Sequence, residues 1–129
     1  MDMTFARLGS LLAFLGVLAG AFAAHALRVQ LPVERLAAFD TAVRYQLWHA
    51  LALLIVGLAL ERAPRPALHA AGWLFAAGIV LFSGSLYGLA LTGVRALGAI
   101  TPLGGASFLA GWLALALGLR RAPGIHARD

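Results

Sequence analysis

The sequence predicts an all-α integral membrane protein, a single domain of four membrane-spanning helices packed as a bundle. Three observations carry this expectation. The 129 residues are 62% hydrophobic and only 12% charged, with a mean hydropathy of +0.90, whereas an average soluble domain carries about 25% charged residues. So short a chain cannot hide that much apolar surface from water in one core, which excludes a soluble globular enzyme. Charged residues also divide the chain into four uncharged windows, 8–27, 45–60, 66–94 and 96–119. A helix needs about 20 residues to cross a hydrocarbon core of about 30 Å, and three of the windows are long enough outright.

Taken in order, the expected spans are 6–27, 44–62, 67–93 and 101–119. The first begins after Arg7 with an apolar run and the small residues Ala19, Ala21 and Ala23, a pattern shared with cleavable signal peptides. Its apolar stretch continues to Leu27, long enough to span, so retention is expected. The second window is short, and its helix is expected to extend into flanks where Arg44 and Arg62 reach toward the headgroups. Pro32 suits the first turn of a helix, which leaves two readings of 32–60: one long rod, or an interfacial helix followed by a span capped by Asp40. The third and fourth spans are bounded by short connections, 61–66 with two prolines and 94–102 ending in Thr101-Pro102, and no second domain fits.

The net charge of +5 comes from ten basic residues, all arginine, lying singly or in pairs between apolar runs. Nucleic-acid binding would need a basic stripe with aromatic platforms, so no nucleic-acid partner is expected. Four spans put both termini on one side. That side carries Arg7, Arg62, Arg65, Arg120, Arg121 and Arg128, against Arg28, Arg35, Arg44 and Arg95 opposite, and the excess favours cytoplasmic termini. Without cysteine there is no disulfide, thiolate metal site or cysteine nucleophile.

Shifting the sequence by 64 residues pairs Gly20 with Gly84, Trp48 with Trp112 and 50–53 with 114–117. Two readings stand: two parallel two-helix repeats about an axis along the membrane normal, or coincidence among very common residues. Gly16-x-x-x-Gly20 and Gly84-x-x-x-Gly88 fall at matching places and are expected to let helices one and three approach closely.

Polar side chains concentrate toward the face opposite the termini. His25 ends helix one, Asp40, Arg44, Tyr45, Gln46 and His49 begin helix two, Ser83, Ser85, Tyr87 and Thr92 occupy the end of helix three, and Thr101 begins helix four. Such groups are costly in a bilayer unless paired or wet, so a polar collar or shallow cavity is expected there. Asp40 and Arg44 are spaced to form an ion pair, while Tyr45 with His49, and Ser83 with Tyr87, each share a helix face. The competing reading is local: serines and threonines bonded to their own helix carbonyls, and aromatics anchored at the interface.

The segments GAFAAHAL (20–27), FDTAVRYQLWHALALL (39–54), LFSGSLYGLALTG (81–93) and ITPLGGASFLAGW (100–112) carry a resemblance over nearly the whole chain. It resembles the small membrane-protein family that includes bacterial YgdD and eukaryotic transmembrane protein 256. One departure is Ala23, where that pattern leads one to expect glycine. The resemblance implies a four-span integral membrane protein, in bacteria of the inner membrane, and supplies no activity, substrate or catalytic residue.

Three functions compete. The first is a non-enzymatic accessory protein, or a binder of a small molecule or lipid headgroup at the collar through His25, Tyr45, Gln46, His49, Ser83, Ser85, Tyr87 and Thr101. The second is a small oligomeric transporter or channel, against which stands the lack of an acidic residue deep in any span. The third is haem or metal chemistry at His25 and His49, whose spacing carries no ligand signature. No cofactor or metal is expected. Ser83 and Ser85 lack the Gly-x-Ser-x-Gly elbow of a hydrolase. The expected partners are the bilayer itself and either a second copy or another membrane protein.

Overall fold

A computed structural model describes residues 3–120. Arg121 and Arg128, two of the terminal-side arginines, lie outside the described residues. Four helices long and apolar enough to cross a membrane account for most of the structure: α1 Thr4–His25, α2 Val33–Arg62, α3 Pro66–Thr92 and α4 Thr101–Gly118. Short 3-10 turns, Leu27–Val29 and Arg95–Ala99, join α1 to α2 and α3 to α4. Of the two readings left open for the second span, the single rod is found. Pro32 stands immediately before the first turn of α2, with φ −56°, and α2 runs unbroken for 30 residues, or about 45 Å. Asp40 therefore lies inside a helix and caps nothing. Pro66 and Pro102 open α3 and α4, where a missing N–H costs no bond. Gly93 closes α3 in the left-handed region at φ 73°, a conformation that favours glycine.

The helices follow the order α1, α2, α3, α4, with the two hairpins forming the most extensive contacts and α2 against α3 at the centre, and side chains also join α1 to α3 at Phe5 with Gly72 and α2 to α4 at His49 with Phe108. A parallel repeat about the membrane normal would give α4 and α1 the contact that α2 and α3 share, and no comparable contact joins them. The packing thus does not express that repeat.

Small residues explain the tight hairpins. On α1, Gly9, Gly16 and Ala23 are buried at seven-residue intervals, and Gly104, Gly111 and Gly118 repeat that spacing on α4. A seven-residue period keeps one stripe facing a partner at a shallow left-handed crossing. A Cβ on Gly9 would lie 2.5 Å from the Ala50 carbonyl oxygen, and one on Gly57 2.4 Å from the Ala6 nitrogen. One on Gly104 would lie 2.4 Å from the Phe82 nitrogen. Ala23, 2% exposed, is small enough for the place where glycine was expected.

The expected approach of α1 to α3 through Gly16, Gly20, Gly84 and Gly88 does not occur; α1 meets α3 instead where Phe5 packs on Gly72. Gly16 and Gly20 do serve packing, but face Leu47 and Val43 of α2. Gly88 meets Leu97, and a Cβ on Gly84 would find nothing within 4 Å. The reason is the helix packing itself, which places α2 against the small face of α1.

A π turn, Ile79–Ser83, interrupts α3 where α4 comes closest. Gly84 N–H donates to the Ile79 carbonyl, five residues back. The widened turn leaves Phe82 among the aromatic rings shared with α2 and α4, and Ser83 against α2.

Candidate functional site

Polar side chains tie each neighbouring pair of helices. Gln46 on α2 donates from Nε2 to the Leu12 carbonyl of α1 at 2.8 Å, and its Oε1 accepts from the Tyr87 hydroxyl of α3 at 2.6 Å. The two partners also fix which end of the amide is which, because a carbonyl only accepts. Ser83 donates to the Ala42 carbonyl at 2.7 Å, a second bond from α3 to α2, and Ser107 donates to the Leu74 carbonyl at 2.7 Å, from α4 to α3. The Ser85 and Thr101 hydroxyls meet at 2.6 Å where α3 faces the start of α4. No buried side-chain nitrogen or oxygen is left without a partner among the described residues, as hydrocarbon surroundings require.

His49 is the most constrained of these groups. Trp112 Nε1 donates to its Nε2 at 3.1 Å, while its Nδ1 lies 2.7 Å from the Tyr45 carbonyl oxygen. An indole N–H can only donate and a carbonyl can only accept, so the imidazole is the neutral tautomer with its proton on Nδ1. Its ring lies flat on Phe108, with centroids 3.5 Å apart and planes 9° apart. Tyr45 stacks on Phe82 at 4.3 Å, and Phe75 meets Trp112 edge-on at 5.0 Å. With both ring nitrogens committed, His49 has no lone pair free for a metal. Among the described residues no three metal-ligating side chains come together.

These bonds do not form a collar at one end. Gln46 lies near the midpoint of α2 and Leu12 near that of α1, while Trp112 is well inside α4. The bonds nearer the far face are those of Ser85 with Thr101 and of Ser83 with the Ala42 carbonyl, which lies between Asp40 and Arg44. Tyr45 with His49, and Ser83 with Tyr87, share faces as their spacing predicts, but the two pairs look to opposite sides of the α2–α3 contact. His25 is exposed at the end of α1 and joins neither group. The expected ion pair of Asp40 and Arg44 is absent among the described residues: Arg44 is exposed, and Asp40 lines a shallow pocket with Arg28 instead.

Two apolar grooves flank the central α2–α3 contact. The first, about 530 Å³, runs between α1 and α3 over α2 and is lined by Leu12, Leu15, Phe39, Gln46, Ser83, Gly84 and Tyr87 among others. The second, about 590 Å³, lies between α2 and α4 and is walled by Tyr45, Trp48, His49, Phe82, Phe108 and Trp112. Sequence reasoning missed Trp112, Phe108, Phe82 and Ser107. The available signal was depth, since a tryptophan well inside a span is misplaced for an interfacial anchor.

Two arginines read as membrane-edge charges also have structural partners. Arg35 Nε donates to the Ala90 carbonyl at 2.7 Å, and Arg65 donates to the carbonyls of Gly118, at 3.2 Å, and Arg120. Each binds carbonyls left open at a helix C-terminus, of α3 and α4 respectively.

Among known proteins, the family model described as "Protein of unknown function (DUF423)" matches residues 19–105, from the second half of α1 into the start of α4. A UPF0382 membrane protein of Staphylococcus epidermidis is 48% identical over 113 residues, 88% of this chain and 92% of the relative. The UPF0382 membrane protein YwdK of Bacillus subtilis is 47% identical over 110 residues, 84% of this chain and 89% of the relative. No solved structure matches. Four apolar helices in a chain matched over most of its length by proteins named for the membrane agree with the family resemblance read from its segments, and the chain belongs to the DUF423 family of UPF0382 membrane proteins.

Proposed function

We propose that this is a non-enzymatic protein of the bacterial inner membrane, its helix termini at Thr4 and Gly118 facing the cytoplasm, that holds a small amphiphile in the groove between α1 and α3. The observation that carries the reading is the groove itself: about 530 Å³ of mostly apolar wall with Gln46 and Tyr87 set into it. A few placed polar groups in an apolar concavity are the composition of small-molecule sites. The non-enzymatic role is supported by where the reactive groups point. Ser83 bonds to Ala42, Ser85 to Thr101 and Phe82, and His49 to Trp112 and Tyr45, so neither serine has the histidine as a base. The orientation rests on the arginine excess beside the termini.

Gly84→Leu tests the groove. A Cβ there would meet nothing within 4 Å, and Gly84 lines the groove, so a larger side chain is expected to fill it without displacing a helix. Wild type and variant are extracted with surrounding lipid in polymer-bounded discs, and the retained small molecules are identified by mass spectrometry. The wild type is expected to retain an amphiphile in stoichiometric amount that Gly84→Leu loses at unchanged thermal stability. Equal retention by both would rule the groove out.

A further inference from the structure

A different site stands at the other end of the molecule. Where α2 ends, α3 begins and α4 ends, a cavity of about 770 Å³ opens with Arg62, Arg65, Arg120 and Glu61 at its rim. Its floor is apolar, built from Ile55 and Leu58 of α2, Leu68 of α3 and Leu119 just after α4. The geometry points to a binding site for one anionic phospholipid, its phosphate held by Arg62 and Arg120 and an acyl chain laid along the floor.

The argument is one of charge and of what each arginine already does. Arg65 is committed to the C-terminal carbonyls of α4 and is held in place by them. Arg62 and Arg120 make no ion pair among the described residues, and neither does Glu61, the one acid on the rim. Two guanidinium groups without acid partners therefore face one opening at a membrane edge, where the planar fork of arginine matches phosphate oxygens two at a time. Basic pockets between helix ends are recognised lipid-headgroup sites. The apolar floor favours a lipid over free phosphate, because it continues beneath the charged rim along helix faces that meet hydrocarbon. At the opposite end of the molecule a smaller pocket, about 260 Å³, sets Arg28 beside Asp40, which offsets its charge.

The full chain, delipidated in mild detergent, is titrated with phosphatidylglycerol, phosphatidylcholine or inorganic phosphate and read by native mass spectrometry. The wild type is expected to bind one phosphatidylglycerol about tenfold or more tighter than phosphatidylcholine, and phosphate far more weakly. Arg62→Gln with Arg120→Gln is expected to lower phosphatidylglycerol affinity about tenfold or more, each lost contact contributing a few fold, and to lower phosphatidylcholine affinity by less, because choline already offsets its phosphate, so that the preference between the two lipids shrinks. Arg28→Gln with Arg95→Gln, at the opposite end, is the matched control and should leave both affinities unchanged. Should the double variant not fold, Arg62→Gln alone is read in the same way, with a loss of about fivefold. An equal loss in the control pair, no preference between the two lipids, or free phosphate binding as tightly as the lipid would each overturn the assignment.

Discussion

At the scale of single residues, Gln46 is where three helices meet. It sits on α2, donates to α1 and accepts from α3, and it is 6% exposed. Interhelical hydrogen bonds in membranes contribute on average about 0.6 kcal/mol and at most about 1.7, since the separated helices also find partners. Gln46→Leu, which removes both bonds at similar volume, is expected to destabilise by about 1 to 2 kcal/mol, read by reversible unfolding in bicelles. Tyr87→Phe should cost less, and a double-mutant cycle of the two should show coupling of about 0.6 kcal/mol. A cycle of Tyr87→Phe with His49→Ala should be additive, because His49 bonds on the far side of α2 to Trp112 and Tyr45. Coupling in the second cycle and additivity in the first would reverse the assignment of the two networks.

At the scale of helices, close packing rests on glycines whose missing Cβ admits a neighbouring backbone. Gly57→Val and Gly104→Val each force atoms into a partner's main chain, since even the first added carbon would lie 2.4 Å from a backbone nitrogen, and overpacking of this kind costs about 1 to 3 kcal/mol or more. Gly84→Ala is the matched contrast: with nothing within 4 Å, it should be neutral or stabilising by up to about 1 kcal/mol through helix propensity. Thermal unfolding in a single detergent compares the three. If Gly84→Ala proved as damaging as the others, the helix packing would be wrong at α3. Arg35→Ala is expected to cost about 1 kcal/mol by leaving the Ala90 carbonyl without its cation at the end of α3.

At the scale of the whole molecule, four spans place the start of α1, the α2–α3 connection and the end of α4 on one side, and the Leu27–Val29 and Arg95–Ala99 turns on the other. Cysteines at the exposed positions Glu61 and Ala96 report the two sides. With cytoplasmic termini, an impermeant thiol reagent on intact cells should label Ala96→Cys and spare Glu61→Cys; the reverse pattern would invert the orientation and put the arginine-rimmed cavity on the outer face. At about 45 Å, α2 exceeds a hydrocarbon core of about 30 Å. Glu34, Arg35, Asp40 and Arg44 occupy its first turns and mark the part that reaches polar surroundings.

The four spans, their membrane character and the polar residue types within them were legible in the chain, because excess apolar composition and the length of uncharged windows are one-dimensional properties of a bilayer-crossing helix. Which helix faces which was not. Gly16-x-x-x-Gly20 and Gly84-x-x-x-Gly88 are alike as strings, yet one packs on α2 and the other meets Leu97 and empty space. The seven-residue spacing of Gly9, Gly16 and Ala23, repeated by Gly104, Gly111 and Gly118, was present in the sequence, but a period says only that a helix has a small face and not what lies against it. Tyr45 with His49 and Ser83 with Tyr87 were rightly grouped by helical spacing, and placing the two pairs on opposite sides required the rotation of α2 against α3. Local geometry determines neighbours along one helix, whereas partners across helices depend on rotation and depth, which only the packed backbone decides.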